Sequence, residues 1–195
     1  MRLSALLLFF LINNTAFSQS YYKGLVLNNY KVTIVYPDHS VTAHIKPVKT
    51  EIFPKSDRLY YWYSGNKINN TQGGFSGSLL NGMYSSYYLN KNLKEKGEFH
   101  DGLKNGEWKA WYENGHLRER INYKLGKAHG PFYRYNNAGR LIEKGSFRVG
   151  LLAGKLEQFG EKDTVKTTFY KDGQPHVPKK KLSKFWQKFR IKKQR

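Results

Sequence analysis

Six histidines could bind a metal or carry a proton: His39, His44, His100, His116, His129 and His176. No two of them have metal-ligand spacing on a shared element, and three fall in repeat loops where a solvated imidazole is the expectation. Gly74-Phe75-Ser76-Gly77-Ser78 comes close to a nucleophile elbow but has Ser where the final Gly belongs. The chain has no Cys, so thiol nucleophiles, thiolate metal sites and disulfides are excluded. No P-loop or dinucleotide fingerprint is present. Asn69-Asn70-Thr71 fits a glycosylation acceptor, which matters only in a eukaryotic secretory route. The reading is therefore of a non-enzyme with no catalytic residues, no metal and no cofactor. The chemistry left is that of binding: 34 Lys and Arg against 14 Asp and Glu give a net charge of +20, and 16% of residues are aromatic. Such charge favours anionic partners, and such aromatic content orders a chain that charge alone would leave unfolded.

The aromatics recur with a period. Gly82, Gly106, Gly130 and Gly154 are each 24 residues apart. Two residues after them come Tyr84, Trp108, Phe132 and Leu156, and five after them Tyr87, Trp111, Tyr135 and Phe159. Phe99, Tyr123 and Phe147 follow in the same frame, each with Gly102, Gly126 or Gly150 close behind, and Tyr170 with Gly173 fill these roles in a slightly shorter last unit. A weaker unit begins at Arg58, with Tyr60, Tyr63 and Phe75 in frame and Ser78 where Gly is expected. Fixed-period self-similarity is the mark of a repeat array. Each unit reads as a β-hairpin: Glu107–Tyr112 alternates, Glu113-Asn114-Gly115 is a turn, and His116–Tyr123 returns with Leu117, Ile121 and Tyr123 on one face. A helix is excluded, since Gly at so many interior sites would cost about 1 kcal/mol each.

The stretch Gly97-Glu98-Phe99-His100-Asp101-Gly102-Leu103-Lys104-Asn105-Gly106-Glu107-Trp108 resembles the MORN repeat, and Gly145 to Leu156 repeats it. Asn122 to Phe132 follows it with Ile121 in place of the first Gly, and Trp111–Leu117 resembles the segment added in the bacterial variant of the repeat. The resemblance implies an all-β fold, an elongated single-layer antiparallel sheet of about five 24-residue hairpin repeats. It also implies binding of proteins or lipids rather than catalysis, and some bacterial members are labelled antitoxin or immunity components.

In such a sheet strands lie about 4.8 Å apart, so each hairpin advances about 10 Å and equivalent side chains form columns. Glu95, Glu119 and Glu143 make one column, either an acidic stripe or solvated charge paired with Lys96, Arg120 and Lys144; the second is preferred. The two aromatic columns differ by an odd number of residues and so point to opposite faces. A single layer leaves one of them partly exposed as an anchor for a partner, unless twist and flanking segments bury both. The partner-binding residues read from this are Tyr87, Trp111, Tyr135 and Trp108.

The flanks depart from the period. Residues 1–18 have a positive start, the apolar run Ala5 to Ile12 and small residues at Ala16 and Ser18, the pattern of a secretory signal peptide. Residues 19–57 contain a hairpin, Lys31–Tyr36 and Val41–Ile45, expected to cap the array spanning 58–176. Residues 177–195 form a basic tail. Leu182, Phe185, Trp186 and Phe189 lie on one helical face, flanked by Lys181, Lys184 and Lys188. Three readings of the tail stand open: a cap on the last repeat, disorder, or a membrane-binding amphipathic helix. The function expected is an exported repeat scaffold binding a protein through its aromatic face. The alternatives are peripheral binding to an anionic membrane or acidic polymer through the tail, and neutralisation of a toxin. Nucleic acid suits the charge, but the signal peptide argues against it.

Overall fold

The computed structural model describes residues 30–46, 52–161 and 164–177. The predicted signal peptide, and the tail from residue 178 with its seven membrane-binding candidates, lie outside the described residues. Fourteen strands form one antiparallel sheet. They are β1 (Tyr30–Val35), β2 (His39–Ile45), β3 (Leu59–Ser64), β4 (Lys67–Gln72), β5 (Ser78–Tyr88), β6 (Leu93–His100) and β7 (Leu103–Trp111), then β8 (Leu117–Lys124), β9 (Lys127–Tyr135), β10 (Leu141–Arg148), β11 (Leu151–Leu152), β12 (Gly154–Phe159), β13 (Val165–Lys171) and β14 (Gln174–Pro175). The order across the sheet is β1-β2-β5-β6-β7-β8-β9-β10-β12-β13-β14, with β11 beside β10. No α-helix occurs among the described residues.

Two kinds of glycine build each repeat. Asp101-Gly102, with φ of 50° and 75°, joins β6 to β7 in a tight turn of the mirror-image type that suits the twist of a hairpin. The glycines at the 24-residue period do something else. Gly106 has φ of 68° and lies where the register jumps, Glu98 facing Asn105 and Lys96 facing Lys109. It forms a bulge inside the long strand β7 rather than a turn between hairpins.

The unit at Arg58 does not stand in line with the others. Its hairpin, β3–β4, touches β5 at only two register pairs, Trp62 with Leu79 and Tyr63 with Ser78. The place beside β5 is taken by β2, which pairs from His39 with Tyr88 to Ile45 with Leu80. Two departures from the repeat pattern accompany this. Arg58 replaces the bulge glycine, and the connection through Gly73 to Gly77 replaces the two-residue turn that folds each other unit back into plane. The displaced hairpin folds over the sheet instead. Tyr61 packs on Phe99 with ring centroids 4.9 Å apart, Ile68 N donates to the Tyr36 hydroxyl at 3.0 Å, and Tyr61 N donates to Gly102 O at 2.7 Å.

The core lies on one face of the sheet, here the inner face. Val41, Ala43, Leu80, Phe99 and Trp108 form its first part, and Ile121, Phe132 and Leu156 continue it. A third cluster, Tyr60, Leu79 and Leu103, seals the turn end where β3 docks.

Candidate functional site

Residues paired across neighbouring strands share a face, so the register sorts the predicted residues. On the inner face one row runs Ser86, Glu95, Ala110, Glu119, Arg134, Glu143 and Gln158. On the opposite, outer face the adjacent row runs Ser85, Lys96, Lys109, Arg120, Tyr133, Lys144 and Glu157. The glutamate column is therefore separated by the sheet from the residues expected to neutralise it. Lys96, Arg120 and Lys144 face away. Glu95 is instead held by Lys104 at 2.7 Å, and Glu119 and Glu143 by Arg134 at 3.6 and 2.6 Å. The column is paired charge, as preferred, but its partners come from its own face.

The two aromatic columns also separate. Trp108 is 3% exposed and lies among Tyr84, Phe99 and Tyr123, with Nε1 donating to Glu98 O at 3.1 Å. Its predicted role in partner binding is withdrawn, because a residue so enclosed offers no anchor to another protein. Phe132, its counterpart in the next repeat, is fully buried. Tyr87, Trp111 and Tyr135 are half-buried. Alternation along β7 puts Trp108 and Ala110 on the inner face and Lys109 and Trp111 on the outer. The extra residue at each nearby register shift belongs to the return strand, as where Ala110 and Trp111 face Glu119 and Leu117. The alternation of β5, β7 and β9 between their two aromatic columns is thus undisturbed.

The hairpin tips hold this outer column in place. The Tyr88 hydroxyl donates to Trp111 O at 2.8 Å, and the Tyr112 hydroxyl to Tyr135 O at 2.9 Å. Asn92 Nδ2 donates to Glu113 O at 2.8 Å, and in the next repeat the His116 imidazole donates to Asn137 O at 2.8 Å. His116 is thus a structural donor between tips.

The outer face consequently carries two parallel rows. One is aromatic, Tyr87, Trp111 and Tyr135. The other is basic, Lys96, Lys109, Arg120 and Lys144. The basic row is only partly neutralised: Glu107 lies 2.7 Å from Lys109 and 3.6 Å from Arg120, and Glu157 lies 3.1 Å from Lys144. Lys96 is exposed and has no ion-pair partner among the described residues. Arg120 also stacks over Tyr133 at 4.5 Å. This row is hidden in the sequence because Lys96, Arg120 and Lys144 each adjoin a glutamate of the acidic column and read as its counter-ions. Counting strand parity from Trp111 would have placed Lys109 beside it.

The other chemical candidates resolve plainly. Ser76 lies in a bend between β4 and β5, with no His or carboxylate bonded to it among the described residues. Gly77 is required there by packing, because a Cβ would strike Tyr63 O and the Trp62 ring. No cluster of metal-ligating side chains occurs among the described residues.

A second concave feature lies on the inner face, between the β3–β4 hairpin and the floor formed by β5, β6 and β7. It has a volume of about 310 Å³ and includes Tyr61, Glu95, Lys104 and Trp108 in its lining.

Residues 80–101 and 104–125 each match the family described as MORN repeat variant. Each match spans one in-line hairpin, β5–β6 and β7–β8, up to its closing turn. No curated protein matches the chain.

Proposed function

For a chain built on MORN repeat variants, we propose an exported, non-catalytic scaffold that binds an acidic protein partner across the outer face of its sheet. The observation that carries this is the coincidence of the two rows on one face. Half-buried Tyr and Trp supply large, rigid contact area at low entropic cost. The basic row beside them supplies steering and register toward a negative surface. A repeating sheet suits the task because equivalent side chains recur at a fixed step of about 10 Å per hairpin.

The test is capture of partners by the full chain from the compartment into which it is exported, compared with two variants. Trp111→Ala removes an aromatic anchor and is expected to weaken capture by about 2 kcal/mol, roughly 30-fold. Lys96→Glu with Lys109→Glu reverses part of the basic row and should lower the association rate and its salt dependence. Capture that is unchanged by Trp111→Ala would sink the reading.

A second reading is favoured by the +20 charge and by the apolar-basic pattern of residues 179–195. It is attachment to an anionic membrane through the tail, with the repeats displayed away from it. Co-sedimentation with anionic vesicles, with and without residues 179–195, separates the two. Tail-dependent pelleting that falls with salt supports attachment, and no pelleting removes it.

A further inference from the structure

We infer that the cleft between the β3–β4 hairpin and the inner face is a binding site for an uncharged saccharide. Its volume of about 310 Å³ falls at the lower end of the roughly 300–1,000 Å³ typical of small-ligand pockets. Its walls come from three separate parts of the chain: Tyr61 and Asn70 from the hairpin, Tyr36 and His39 from the end of the first hairpin, and Glu95 and Trp108 from the floor. The rings are ordered among themselves. Tyr36 stacks on His39 with centroids 4.5 Å apart, and Tyr84, another wall residue, lies 5.5 Å from Trp108.

The charges in the cleft decide the class of ligand. Glu95 Oε1 already accepts from Lys104 Nζ at 2.7 Å, and that ammonium lies 3.9 Å from the centre of the Trp108 ring. A cationic ligand would have to displace Lys104 and approach a chain of charge +20. An anionic ligand would face the Glu95 carboxylate, whose nearest cation is already engaged. A purely apolar ligand would strip water from the second Glu95 oxygen, the Tyr61 hydroxyl and the Asn70 amide. None of these three has a hydrogen-bond partner among the described residues, so burying them bare is unfavourable. What remains is a neutral molecule with an apolar face for the rings and hydroxyls for these groups, of mono- or disaccharide size. This site is on the face opposite to Trp111 and does not depend on the outer-face reading.

The test titrates the full chain with cellobiose, maltose and N,N′-diacetylchitobiose, followed by calorimetry and tryptophan fluorescence. At least one is expected to bind saturably. Tyr61→Phe and Asn70→Ala each delete hydrogen-bonding capacity from a wall of the cleft and should weaken that binding about fivefold without changing the melting temperature, whereas Trp111→Ala should leave it intact. The inference is overturned if none of the three sugars gives a saturable response, or if both wall variants bind as the parent does. Saturable binding of tetramethylammonium or inorganic phosphate that is lost in Tyr61→Phe would likewise overturn it, by assigning the cleft to a charged ligand.

Discussion

Gly97 and Gly106 belong to one repeat and answer to different constraints. Gly97 is extended and lies in register with Tyr84; a Cβ on it would come within 2.2 Å of the Trp108 ring. Gly106 has open space around it but a φ of 68°. Gly97→Ala should therefore cost about 1–3 kcal/mol through overpacking, and Gly106→Ala about 1–2 kcal/mol through its backbone alone. Their coupling tells them apart. Combined with Trp108→Leu, which empties the ring's space, Gly97→Ala should lose much of its effect, while Gly106→Ala should add as an independent change. Denaturant unfolding of the single and double variants checks this. Additive behaviour of Gly97→Ala with Trp108→Leu would show that the ring is not what the glycine accommodates. Gly106 was visible in the sequence as a periodic position and Gly97 as part of the repeat motif, but which one served packing and which one a bulge was not. That depends on the register between strands.

At the scale of elements, the in-line hairpins and the displaced one are held by different means. β7 and β8 pair in register from Gly106 with Tyr123 to Trp111 with Leu117, and both strands pair again on their other edges. β3–β4 has two register pairs to β5 and one further backbone bond, Tyr61 N to Gly102 O, and is otherwise held by side chains: Tyr61 on Phe99, Arg58 donating to Leu125 O at 2.5 Å, and Lys127 against Asp57 at 2.5 Å. The hydrogen bond and charge of Lys127 hold the Asp57 carboxyl below its ordinary range. Amide hydrogen exchange should find β3–β4 opening before β7–β8 under native conditions, as a separate local unit. Equal protection of the two hairpins would mean that the side-chain contacts couple β3–β4 fully to the sheet. The hairpin itself was legible from Tyr60, Tyr63 and Phe75. Its departure from the line was not, because it results from competition with β2 for the same edge of β5.

For the molecule as a whole, partly buried phenols limit stability at alkaline pH. Burial, with Glu95 nearby, raises Tyr84 and Tyr61 above the ordinary tyrosine value of 10.0. Burial, with Glu119 nearby, pushes Tyr123 up to about 12. The folded state thus keeps protons that the unfolded state releases near pH 10.0. The stability these groups contribute is fully present below that pH and is lost as pH rises through their folded values. The phenolate absorbance of Tyr61, Tyr84 and Tyr123 should therefore appear together with loss of the β-sheet signal. Phe substitution of each in turn should remove its share of the absorbance. Titration of Tyr84 and Tyr123 near pH 10 with the sheet intact would show that these two hydroxyls are open to solvent. Tyr61 and Tyr84 line the inner cleft, so sugar binding should fail in the pH range where the sheet unfolds.

The hairpin repeat and its periodic aromatic positions were determined by the sequence itself. They follow from short-range rules, namely alternation, turn chemistry and a fixed period, which act within some two dozen residues. Tertiary structure alone decided which aromatic column was enclosed, which cations neutralised Glu95, Glu119 and Glu143, and where the Arg58 unit came to rest. Each of these is set by contacts between segments distant in the chain. Trp108 was buried by Phe99, Tyr84 and Tyr123 around it. Lys104 reached Glu95 because strand pairing put both on one face. β3–β4 created a cleft because β2 already held the edge it would have taken.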